Sequence, residues 1–216
     1  MENYLKPTYF IDYNQPLIKE KVAFLIKDSK TNIEKAIKLF YFVRDSIKYN
    51  PYSPWEKEEY YKSSEILKRG YGYCIQKAVL LCSMLRCADI PCKLIFVDIK
   101  NYKAPEKLTK LFGNTYHFHG YCGVFLNNKW IAAAPTFNIE MCEKFGYKPT
   151  EFNGKDDALL HKYNQNNELT FEYVNFRGEF DDLPFNTIMA GFKKELGEEV
   201  YNKWCKYVAE LNKGEV

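Results

Sequence analysis

Between Gly70 and Ile99 the chain reads GYGYCIQKAVLLCSMLRCADIPCKLIFVDI. From Cys74, the residues Ile75, Ala78, Val79, Cys82 and Leu85 recur at helical spacing, which predicts a helix with one face buried. After Pro91 the run IPCKLIFVDI is apolar almost without break, the mark of a short strand covered on both faces. A buried helix and a doubly covered strand so close in sequence require layers of structure on both sides.

The flanking patterns say which layers. Upstream they are helical. One helix is expected from Pro16 to about Lys27, with proline in its first turn. A second opens with Thr31 and Glu34 as a capping box and carries Ile33, Ala36, Ile37, Phe40, Val43 and Ile47 on one stripe. YNPYSPWEKEEYY is a loop broken by two prolines, and SSEILKR is a short helix stopped by Gly70. Downstream the pattern changes. APEKLTKLFG suits a turn of helix. YHFHGYCGVFL and KWIAAAPTF, joined by Asn127-Asn128, predict a hairpin. Further strands are expected at 148–152 and 169–176, then one long amphipathic helix from Phe185 to Leu211. Helices followed by strands indicate an α+β domain with an antiparallel sheet. No linker or repeat divides the chain, so one domain over 1–216 is expected, with a core at about 30–140 and a C-terminal extension, 141–216, packed on it.

Lysine plus arginine exceeds aspartate plus glutamate by 31 − 28 = 3, too little to argue for nucleic acid or an acidic membrane surface. No window is apolar enough to span a bilayer. No zinc-type cysteine pairing and no phosphate-cradling glycine loop occurs. The opening MENYLKPTYF has no basic start followed by an apolar run. A cytoplasmic protein with reduced thiols and no cofactor is therefore expected.

Of seven cysteines, Cys74 alone stands at a helix start with glycines before it. There a thiolate gains from free N–H groups and the helix dipole, and the Cys74 N–H is placed to bind an oxyanion. Cys82, Cys87, Cys92, Cys122, Cys142 and Cys205 read as packing residues. Three histidines exist, His117, His119 and His161. His117 and His119, two apart on a strand, are expected on one side of the sheet. A metal half-site is the weaker reading of that pair, and His161 reads as structural. A redox role fails for want of a second cysteine near Cys74.

These residues resemble the transglutaminase-like superfamily. GYGYCIQKAVLLCSMLRCADIPCKL resembles its cysteine segment, and HGYCGVFLNNKWIAAAPTF its histidine segment. The resemblance implies a papain-like α+β core, with Cys74 as nucleophile and His119 as general base, and His117 outside the matching frame. The family's acid is expected just before Pro135-Thr136, where this chain has Ala134, and an acid four after the histidine is replaced by Gly123. Asn138 and Asp182, with Asp181 beside it, are the candidates to orient His119 instead; a Cys–His dyad is a further alternative. The reaction implied is attack of Cys74 on an amide to give a thioester, then transfer to water, as in a peptidase or amidase, or to an amine. The partner would be a peptide or other amide, with the aromatic loop Tyr49–Tyr61 a candidate acyl pocket. The rival reading is a catalytically degraded scaffold or binding protein of the same fold.

Overall fold

The computed structural model describes residues 1–213. Its centre is helix α4, Cys74–Cys87, buried at every position from Ile75 to Arg86. The helix is therefore covered on all sides, not along one stripe, and polar residues inside it need partners. Lys77 Nζ donates to the carbonyls of Arg44 (2.9 Å) and Ile47 (2.6 Å). Arg86 donates to the carbonyls of Lys6, Cys92 and Asp181. These two side chains lash α4 to four separate segments.

Three helices precede it: α1, Pro16–Ile26; α2, Asn32–Tyr41; and α3, Ser63–Arg69. Thr31 Oγ1 accepts from Glu34 N–H, as the capping pattern requires. Helix α2 runs on as a π-helical turn, Phe42–Ser46, and α3 ends at Gly70 with φ of 77°. Two short parallel strands, β1 (Lys48–Tyr49) and β2 (Tyr71–Gly72), bring the segment before Pro51 alongside the start of α4.

The main sheet has the order β5-β4-β3-β6 and is antiparallel throughout. Its strands are β3 (Cys92–Asn101), β4 (Thr115–Leu126), β5 (Lys129–Ala133) and β6 (Phe171–Phe180). Strand β3 is central and buried almost throughout. The β4–β5 turn holds Asn127 and Asn128 at φ of 47° and 62°, the left-handed pair such a hairpin needs. Helix α4 covers one face. The other face carries a second apolar cluster that includes Val97, Ile99, Phe137, Tyr147 and Phe171.

Helix α5, Glu106–Phe112, fills the β3–β4 connection, and α6, Ile139–Phe145, which carries Cys142, follows β5. The strand expected at 148–152 is absent: that stretch is irregular, anchored by Arg44 donating to Thr150 O and by Phe152 packing on Phe40. The long final helix is two helices, α7 (Phe185–Leu196) and α8 (Glu198–Lys213), separated at Gly197 with φ of 78°. The apolar stripe continues across the break, which is why periodicity alone reads as one helix. Among the described residues no helix is long and apolar enough to cross a membrane.

Candidate active site

Cys74 is the first residue of α4. Gln76, two residues on, fixes that helix start. Its Oε1 accepts from Tyr73 N–H (3.3 Å), and its Nε2 donates to the carbonyls of Pro54 (2.7 Å) and Tyr60 (3.2 Å). One buried amide thus ties the Cys74 turn to the loop that holds Trp55. Gly72 leaves room for it: a Cβ there would lie 3.0 Å from Gln76 Cβ.

Gly120 on β4 performs the matching service from the sheet. A Cβ at Gly120 would lie 3.1 Å from Ile75 Cα, so the missing side chain lets α4 seat directly on the strand. The amides of Gly120, Ile75 and Cys74 act on the Cys74 sulfur and favour its thiolate, but burial outweighs them and pushes the thiol up to about 11. His119, one residue before Gly120, is buried, and burial pushes its imidazole down to about 3. Burial thus disfavours the charged form of each group.

Cys74 and His119 line the same two cavities, one of about 100 Å³ and one of about 250 Å³. The His119 ring packs against Tyr121 and Tyr173, with centroids 6.4 and 6.0 Å away. Its Nε2 is buried without a hydrogen-bond partner among the described residues. Ala134 is fully buried and contributes only its backbone N–H, to Ala158 O. At Gly123 the space an acid would need is filled by Lys93, whose Cε lies 2.8 Å from a built Cβ.

Neither proposed substitute reaches His119. Asn138 Oδ1 accepts from Tyr49 N–H (3.1 Å) and its Nδ2 donates to Glu140, so it pins β1 to the start of α6. Asp182 accepts from Thr8 Oγ1 (2.7 Å) and Leu183 N–H (2.8 Å), while Asp181 offers its carbonyl to Arg86. All three make their hydrogen bonds elsewhere in the fold.

The two strand histidines also part company. Phe118 between them has φ of 56°, and the β3–β4 register shifts between Val97 and Ile99; this bulge breaks strict alternation. His117 Nδ1 lies 3.5 Å from Asp98 Oδ1 and 3.4 Å from Arg177 Nη2. Asp98 also accepts from Arg177 Nε, Asn175 and Phe118 N–H. Burial would raise its carboxyl, but those donors prevail and hold it below the usual range. So the histidine with a carboxylate neighbour is His117, which also lines the smaller cavity. The sequence signal for Asp98 was an acid alone in an apolar strand, IFVDI. His161 Nε2 pairs with Pro149 O (3.1 Å), a structural contact. Among the described residues, no three His, Cys, Asp or Glu side chains gather as metal ligands.

Residues 20–135, more than half the chain, match the family described as transglutaminase-like superfamily, and the chain belongs to that superfamily. Cys74 and His119 both fall inside the matching segment; α6, α7 and α8 lie beyond it. Among solved structures, a candidate cysteine protease from Cytophaga hutchinsonii aligns with TM-score 0.48 and 13% identity, over 62% of this chain and 40% of that one. A candidate protease from Parabacteroides distasonis ATCC 8503 aligns with TM-score 0.38 and 15% identity, over 58% and 26%. The aligned region is thus less than half the length of either chain. None of the curated proteins compared with the chain matches it.

Proposed function

We propose that the protein is a cysteine acyl-transfer enzyme, with Cys74 as nucleophile and His119 as general base, acting as a peptidase or amidase. The observation that carries this reading is that Cys74 and His119 line the same two cavities, with the thiol at a helix N-terminus beside inward-facing backbone N–H groups. In the proposed step the Cys74 sulfur attacks the substrate carbonyl and its proton passes to His119. The N–H groups at the turn stabilise the oxyanion. The amine then leaves with the proton from His119, and water resolves the thioester; an amine in place of water would give transamidation. Because burial disfavours the charged form of both groups, the proton is proposed to pass to His119 as the sulfur attacks.

A second reading, a binding protein that has lost catalysis, is favoured by one observation: the His119 nitrogen that an orienting acid would hold has no partner, and Ala134 stands at the acid's position. One experiment separates the two. The protein is mixed with an activated aryl ester and its intact mass followed. Acyl-transfer predicts one adduct, mapped to Cys74, absent in Cys74→Ala and formed about 100-fold more slowly in His119→Ala. Equal rates in wild type and His119→Ala, or no adduct at Cys74, would favour the binding protein.

A further inference from the structure

The bulge in β4 gives His117 surroundings unlike those of His119. Phe118, at φ of 56°, donates its N–H to Asp98 Oδ1 (3.1 Å). Its ring lies 4.9 Å under the Arg177 guanidinium and against Gly191 of α7, where a Cβ would lie 2.3 Å from it. Arg177 is held in turn: Nε donates to both oxygens of Asp98 (3.0 and 2.9 Å), and Nη2 donates to Glu195 Oε1 (2.8 Å). Nη2 also sits 2.7 Å from Asp98 Oδ2, but Nε is the atom aligned to donate there. The second Nη2 hydrogen points to His117 Nδ1, at 3.4 Å. Groups from β3, β6 and α7 thus fix one side of this imidazole.

That contact sets where the ring proton sits. A guanidinium stays charged and only donates, so Nδ1 must offer it a lone pair, and the neutral ring carries its proton on Nε2. Protonation adds an N–H at Nδ1, 3.5 Å from Asp98 Oδ1, and leaves the Nε2–H in place. Nε2 is therefore a donor in either state. It makes no hydrogen bond among the described residues, yet it is not one of the buried polar atoms left without a partner, so it is open to solvent. His117 lines the smaller cavity together with Cys74 and His119 and is not part of the wall of the larger. An open donor, oriented by charge, thus stands in the wall of the cavity that Cys74 lines.

We propose that His117 is a substrate-binding residue: its Nε2–H donates to a second carbonyl oxygen of the substrate, on the acyl side of the amide attacked, and Arg177 is the positioning residue that keeps the proton there. The substrate class is then a peptide-like acyl chain, with a carbonyl one residue before the reacting one, in preference to a plain alkyl chain. The open nitrogen has no lone pair, so it cannot take a proton from thiol or water, which separates His117 from the role proposed for His119. The acyl assignment rests on the proposed role of Cys74; the donor assignment stands on the contacts of His117.

The test uses Cys74→Ala labelled with ¹⁵N-histidine, in which protonated and bare ring nitrogens give separate NMR signals; those of His117 are assigned through His117→Leu. The neutral ring is expected to show a bare Nδ1 and a protonated Nε2, and Arg177→Met should move part of that proton to Nδ1. Three N-methylamides of matched shape are then titrated: acetylglycyl, 4-oxopentanoyl, which keeps the second carbonyl but not its N–H, and pentanoyl, which has neither. The first two are expected to bind about fivefold more tightly than the third, the worth of one hydrogen bond, and to shift the His117 Nε2–H. His117→Leu should erase that preference and leave pentanoyl binding unchanged, while His117→Gln, which keeps an N–H but no base, should retain it. The proposal is overturned if the neutral ring carries its proton on Nδ1, if Arg177→Met leaves the tautomer unchanged, if the preference survives His117→Leu or is lost in His117→Gln, or if the three probes bind equally or not at all. If they bind as expected but wild type forms no thioester with the acetylglycine aryl ester, the donor stands and the acyl-transfer reading falls.

Discussion

At the scale of single residues, the site is defined by one atom without a partner. Among the described residues His119 Nε2 has no hydrogen-bond partner, and burial pushes the imidazole down to about 3. A histidine with a depressed folded pKa stays neutral inside while its unfolded counterpart takes up a proton below about 6.5. The unfolded state then binds more protons, so stability falls as pH drops from 6.5 towards 3, by up to about 1.4 kcal/mol per pH unit. His119→Gln should flatten that part of a pH series of urea melts relative to wild type. The same atom suggests a gain. Ala134→Asp places a carboxylate where the superfamily carries one, and should raise Cys74 acylation by at least about tenfold by orienting the imidazole and stabilising its protonated form. The gain must vanish when His119→Ala is added; an increase that survives would show that the new acid acts elsewhere.

At the scale of elements, the site depends on how closely α4 meets β4. Gly120 sets that distance, since any side chain there meets the backbone of Ile75 and the ring of Phe96. Gly120→Ala should cost about 1–3 kcal/mol through overpacking, measured by denaturant unfolding, and should slow Cys74 acylation by moving the sulfur off the Gly120 N–H. The elements themselves were largely legible in the sequence. Gly70 ended α3, Asn127-Asn128 turned the hairpin, and Cys74 opened α4, because each is governed by local backbone chemistry. What stayed hidden was long-range. Gln76 reads as one more helical residue until Pro54 and Tyr60 are seen beside it. The parting of His117 from His119 depends on a bulge that no spacing rule encodes. Asn138 and Asp182 had the right chemistry for an orienting group, but their partners come from β1 and from Thr8, which only the packed chain brings near.

At the scale of the molecule, the sheet is clamped to the C-terminal helices by charge. Asp98 on β3 holds Arg177 on β6, which reaches Glu195 on α7 (2.8 Å). The carboxyl of Asp98 lies below its ordinary 3.8, so its contribution to stability is present above that pH and is lost as pH falls through the folded value. Asp98→Asn should therefore lower stability at pH 7 and bring the mutant and wild-type curves together in strong acid, followed by circular dichroism. A mutant gap that persists unchanged in acid would show that shape, not charge, gives the clamp its value.

The clamp bears on how this protein can diversify. The floor beneath Cys74 is made by residues 20–135, the portion shared with the superfamily, whereas Phe192, Leu196 and Trp204 come from the tail beyond it. Cys74 and the ceiling of its cavity thus come from separate parts of the chain. Exchanging α7 and α8 for those of a relative would reshape the cavity wall while leaving Cys74 and its turn in place.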